Sequence, residues 1–148
     1  MTSHFDVTTE IKRPITEVFA FLADGENDKK FSQRVQEISK ATDGPPGVGT
    51  VYTSTVKDAG MTTKREFTLT EFEAPRRIRW RETSKNMLTV PNGGYDLVPV
   101  GDGATRVTLF NELEGHGLGK LLAPLAARSA RKGADAFGNA IKNAVEAG

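Results

Sequence analysis

Few residues of this chain are equipped for chemistry, and Glu82 comes first. In Arg77-Ile78-Arg79-Trp80-Arg81-Glu82, strand alternation puts Ile78, Trp80 and Glu82 on one face and three arginines on the other. Burial of Ile78 and Trp80 draws the Glu82 carboxyl inward. A desolvated carboxyl has a raised pKa and can act as an acid, a base or a partner for a ligand hydroxyl. The competing expectation is a rim position or a pair with a neighbouring arginine, because a buried unpaired carboxylate is costly. Arg65 poses the complementary choice. It shares a strand face with Phe67, Leu69 and Glu71, where it could polarise a carbonyl, hold an anion or pair across strands with a glutamate. Tyr52, Tyr95 and Asn111 are further polar-tipped positions on the inward phase of their strands, although such residues are more often satisfied core or edge residues. No two of these residues have a spacing that demands catalysis.

Other chemistries lack their residues. The 148-residue chain has no Cys, which excludes a disulfide framework, thiolate metal sites and a Cys nucleophile. Its two histidines, His4 and His116, fall in no metal-binding spacing, so neither a metal nor a cofactor is expected. Gly115-His116-Gly117-Leu118-Gly119-Lys120 invites a phosphate-loop reading that fails, since Leu121 stands where Ser or Thr is needed and no βαβ unit follows. A hinge into the final helix, with a cavity mouth beside it, is the better reading. A net charge of +1 gives no field to gather nucleic acid. No basic n-region with an apolar run opens the chain, and no window is apolar enough to span a membrane, so the expected location is cytoplasmic.

The elements that must position these residues follow from periodicity. Residues 4–12 alternate as a strand. Pro14 stops it and opens a helix carrying Ile15, Val18, Phe19 and Leu22, which Asp24-Gly25 ends. A second short helix is expected from Asn27 or Asp28 to Arg34, anchored by Phe31. Strands are expected near 35–41, 48–57, 62–73, 76–84, 87–99 and 104–114, separated by turn residues such as Asp43-Gly44-Pro45-Pro46-Gly47 and Gly101-Asp102-Gly103. Such short breaks join antiparallel neighbours. The last 30 or so residues hold nine of the fifteen alanines. They read as one long amphipathic helix, bent near Pro124, with Leu118, Leu122, Leu125, Ser129, Gly133, Ala136, Phe137 and Ala140 on its inner face. The fold class is therefore α+β. A seven-stranded antiparallel sheet wraps a long C-terminal helix, two short helices follow strand 1, and residues 1–148 form a single domain.

Several segments, in order, resemble the START-like (SRPBCC) superfamily of polyketide cyclase/dehydrase type. They are Ile11-x-x-Pro14-x-x-x-Val18-Phe19-x-Phe21-Leu22-Ala23-Asp24, Gly47-Val48-Gly49-Thr50, Thr70-Glu71-Phe72-Glu73-Ala74-Pro75-Arg76-Arg77-Ile78, and Tyr95-Asp96-Leu97-Val98-Pro99 with Gly103-Ala104-Thr105-Arg106-Val107-Thr108. The resemblance covers nearly the whole chain. It implies a helix-grip fold, a cavity between sheet and helix, and binding of apolar or aromatic small molecules. It implies no reaction, because members include carriers as well as cyclases. Phe31 stands where many relatives carry Trp. The pocket Arg and aromatics of the cyclising subgroups are not matched position by position, so cyclisation is not carried over.

The expected ligand site is then Tyr52, Arg65, Phe67, Leu69, Trp80, Glu82, Tyr95, Leu109, Asn111, Leu122, Ser129, Gly133 and Phe137. Small residues on the last helix either leave a hollow or permit close helix–sheet contact. Large apolar residues (Leu, Ile, Val, Phe) make up about 23% of the chain, just above the ~20% below which chains stay disordered, so the core is modest. The first functional expectation is binding of a lipid or polyketide-like molecule without stable membrane insertion. A cyclase/dehydrase is the alternative, and a scaffold presenting the basic helix face to a partner ranks third. The ligand, catalysis and oligomeric state stay open at this level.

Overall fold

The computed structural model describes residues 2–58 and 60–148. Seven antiparallel strands form one sheet in the order β1-β7-β6-β5-β4-β3-β2. They are β1 (Thr2–Ile11), β2 (Val35–Lys40), β3 (Val51–Asp58), β4 (Met61–Glu73), β5 (Arg77–Glu82), β6 (Leu88–Val100) and β7 (Ala104–Gly115). Strands β2 to β7 follow one another as a meander, as the short turns require, and β1 closes against β7. The β3 strand begins three residues later than its alternation suggests. There Gly49 adopts φ +90°, and the Gly47 amide donates to Thr50 Oγ1 at 2.9 Å, so 47–50 is a turn.

Helix α1 (Ile15–Ala23) buries Val18, Phe19 and Leu22 against the sheet, with the Phe19 ring edge-on to Phe72 at 5.3 Å. A short 3₁₀ helix follows at Gly25–Lys30, earlier than the expected 27–34. Asp24 sets its start, because the carboxylate accepts from the Glu26 amide at 3.0 Å.

The helical tail departs furthest from expectation. It is two segments, α2 (Gly119–Lys132) and α3 (Ala134–Ala147), divided at Gly133 rather than bent at Pro124, which sits inside α2. The buried stripe is Gly119, Ala123 and Ala127 on α2, then Gly138, Ile141 and Val145 on α3. That stripe lies roughly one residue step, about 100°, from the leucine-rich face expected to point inward. Leu118, Leu122 and Leu125 are exposed, at 75%, 40% and 63%. Backbone proximity explains the choice. A Cβ on Gly138 would meet Val7 Cγ2 at 3.0 Å, and one on Gly119 would lie 2.0 Å from the Met87 carbonyl oxygen. At these two contacts only glycine fits, and α2, turned so that Gly119, Ala123 and Ala127 face inward, leaves its leucines outside. Among the described residues, no helix is long and apolar enough to cross a membrane.

Candidate functional site

Between the sheet and the helical tail lies a cavity of about 600 Å³. This falls within the ~300–1,000 Å³ range of small-molecule sites. Its walls are mostly apolar, with Leu22, Phe31, Ile38, Phe67, Leu69 and Phe137 among them. Pairing between strands orders the polar groups into rows. Tyr95 lies opposite Ile78 and Leu109, Trp80 opposite Leu69, and Phe67 between Tyr52 and Glu82, with Arg65 opposite Ser54 on the next row. Tyr52, Arg65, Phe67, Leu69, Trp80, Tyr95, Asn111 and Phe137, all expected at the site, line the cavity together.

The other expected positions lie elsewhere. Leu109 is buried in the core, and Glu82 is buried behind the wall. Leu122, Ser129 and Gly133 are exposed, because the helix is turned away from its leucine-rich face. Ala136 and Ala140, expected on the inner face, do line the cavity, with Ala126 and Ala130 beside them, so small residues serve both expectations, close contact in one stripe and open space in the next. Glu71 also leaves the inward face. A bulge between Leu69 and Glu71 shifts the alternation by one, so Phe72 turns towards the core and Glu71 pairs with Arg77 outside.

Glu82 and Arg65 resolve each other's alternatives. The Glu82 side chain is fully buried, while that of Arg65 keeps 20% exposure. Arg65 Nη1 donates to both carboxylate oxygens at 3.1 and 3.2 Å and to the Leu88 carbonyl at 2.7 Å. Ser84 Oγ (2.6 Å), Asn86 Nδ2 (3.1 Å) and the Val90 amide (3.0 Å) donate to Glu82 as well. A carboxylate ringed by this many donors has its lone pairs taken up and its position fixed. Of the two alternatives for Glu82, the geometry is that of the pair with a neighbouring arginine. Glu82 orients Arg65, whose Nη2 makes no hydrogen bond among the described residues.

In the middle row Trp80 Nε1 donates to Asn111 Oδ1 at 2.9 Å, from β5 to β7 across the intervening β6. Gly93 makes the span possible. A Cβ there would lie 2.1 Å from Asn111 Oδ1 and 2.4 Å from Trp80 Nε1. The Trp80 ring also packs edge-on against Tyr95, with centroids 5.1 Å apart.

Several wall residues, Asp28 among them, are not singled out by the sequence. Asp28, in the 3₁₀ helix, lines the cavity beside Tyr52. Burial, reinforced by nearby Asp24, raises its carboxyl to about 7. The tyrosine hydroxyls respond in turn. Burial first, then the charge of Asp28, holds Tyr95 well above the usual phenol range, and burial raises Tyr52. The available signal was three acids at alternate positions, Asp24, Glu26 and Asp28, in a segment that packs over the sheet. Among the described residues, no group of three or more His, Asp or Glu could hold a metal ion.

Residues 2–146 match the family described as polyketide cyclase / dehydrase and lipid transport. The chain belongs to that family. Solved structures with this fold include the Zhui aromatase/cyclase of a Streptomyces species, 17% identical with a TM-score of 0.75, covering 98% of this chain and 92% of that one. A START superfamily protein of Mycobacterium smegmatis is 14% identical with a TM-score of 0.79, covering 97% of each chain. A Thermus thermophilus protein is 18% identical at the same TM-score, covering 98% of each. At these identities the likeness is one of fold. No functionally curated protein matches the chain.

Proposed function

We propose that the protein binds an apolar or aromatic small molecule, a lipid or polyketide-like compound, in the cavity between sheet and helical tail. The observation that supports this reading is the hollow itself. A space of about 600 Å³ stays open among side chains that could close it, because α2 and α3 present alanines to it. Membership of a family that includes lipid transport agrees with it. Anilinonaphthalene sulfonate fluorescence provides the test. The wild-type protein should bind the dye, and Ala130→Trp, which fills the cavity from α2, should weaken binding at least about tenfold, a change of ~1.4 kcal/mol. Equal binding by both proteins would remove the cavity from the reading.

A cyclase/dehydrase-type activity is the second reading. Arg65 favours it, since a guanidinium fixed in an apolar wall with Nη2 unengaged can polarise a ligand carbonyl. Arg65→Met should then depress turnover of a poly-β-keto chain. Unchanged turnover would take Arg65 out of the mechanism.

A further inference from the structure

Charge on the cavity wall is unevenly satisfied. Arg65 is matched by Glu82. Asp28 has no cation and no hydrogen-bond donor on its carboxyl among the described residues. Tyr95, only 4% exposed, likewise has no partner on its hydroxyl. Yet no side-chain N or O atom sealed from solvent lacks a hydrogen bond among the described residues. Both groups must therefore open onto the cavity they line. The remaining charges around Asp28 do not complete it. Asp24 and Glu26 on the same segment add negative potential at Tyr52. Lys29 and Lys30 are exposed, with Lys30 over the Phe21 ring. On β2, Glu37 is exposed and the Lys40 ammonium donates to the Thr42 and Gly44 carbonyls. Arg34, at the rim, has interactions of its own. From β3, β6 and α3 come Tyr52, Tyr95 and Phe137, with no charge.

We propose that this end of the cavity is a subsite for a protonated amine, the ammonium pairing with the Asp28 carboxylate and donating to the Tyr95 hydroxyl while an apolar or aromatic body fills the rest. The aromatic rings of Tyr52, Tyr95 and Phe31 suit the same cation, which is drawn to ring faces. This rests on the cavity being a site for apolar molecules, and it adds which polar group such a molecule carries. Binding has a proton signature. The free carboxyl titrates at about 7. A bound ammonium favours its ionised form, so amine binding below neutral pH releases a proton.

Naphthylethylamine and its neutral counterpart naphthylethanol test this by calorimetry. At pH 8 the amine should bind at least about tenfold more tightly than the alcohol, equivalent to ~1.4 kcal/mol. Its advantage should shrink towards pH 6, where titration in two buffers of different ionisation enthalpy should show proton release. Asp28→Asn should erase the advantage. Equal affinities at pH 8, or an advantage that survives in Asp28→Asn, would overturn the subsite. Because the pH dependence is read on the wild-type protein, the test does not depend on the variant folding. The alcohol arm separates the two readings: alcohol binding that Ala130→Trp blocks upholds the cavity whatever the amine does, and failure of both compounds removes cavity and subsite together.

Discussion

The carboxyls of Glu82 and Asp28 both stand beside the cavity, and their surroundings differ in nearly every respect. Glu82 sits on β5 among donors from β4, from the segment after β5 and from the start of β6. Asp28 sits on a six-residue 3₁₀ helix with a second acid for company and no donor on its carboxyl among the described residues. Strand geometry explains the contrast. A sheet interior brings side chains from several strands to one point, so a carboxylate there can be fully matched. A short helix laid over the open end brings few neighbours, and the carboxyl is left facing the hollow. One group therefore belongs to the architecture, and the other is available to whatever enters.

Removing Glu82 should produce the largest effect. Glu82→Ala leaves Arg65 and the Val90 amide without their anion and should destabilise the protein by about 3–5 kcal/mol in urea unfolding. A loss below about 1 kcal/mol would put the two carboxyls in the same class. Next, Gly93→Ala drives a methyl group into the Trp80–Asn111 hydrogen bond and should lose about 2–3 kcal/mol, with a shift in tryptophan emission.

Asp28→Asn should act in the opposite direction. The native carboxyl holds its proton up to about 7 against 3.8 for an ordinary aspartate, so within that window the folded state carries more proton than the unfolded one. Its contribution to stability is thus complete below the window and is lost as pH rises through it to about 7. At pH 8 the Asn variant should be more stable by about 2 kcal/mol, roughly half the value for a sealed site, because the carboxyl opens onto the cavity. Melting temperatures from pH 5 to 8 read this as a decline in the wild type that the variant flattens. The smallest effect belongs to the outer face of α2. Leu121→Gln, at a position 74% exposed, should change stability by less than about 0.5 kcal/mol. A larger loss would show that the leucines are held against something.

The sheet was legible because alternation and turn residues repeat the same message on every strand. Ile78, Trp80 and Glu82 point inward as their spacing requires, and so do Tyr52, Tyr95 and Asn111. The bulge after Leu69 was not legible, because one extra residue leaves no mark on composition while reversing the side of Glu71 and Phe72. The helical tail misled for a different reason. Hydrophobicity selects the stripe that would gain most by burial, and Leu118, Leu122 and Leu125 form it. Close packing selects the stripe that can approach a backbone, and on α2 that is Gly119, Ala123 and Ala127. Where helix and sheet nearly touch, the second criterion wins. Asp28 was hidden because nothing along the chain says that a short acidic helix overhangs the interior.

The donation from Val90 to Glu82 carries one more consequence. Residues 89–92 depart from the β6–β7 register, and at this bulge the Val90 amide goes to the Glu82 carboxylate instead of to a carbonyl. Its protection against hydrogen–deuterium exchange therefore depends on a side chain two strands away from β7, and not on the ladder around it. In Glu82→Gln, which keeps the shape and removes the charge, that amide should exchange faster while its neighbours along β7 keep their wild-type rates. A single resonance would then report, from inside the folded protein, whether the anion behind the cavity wall is still in place.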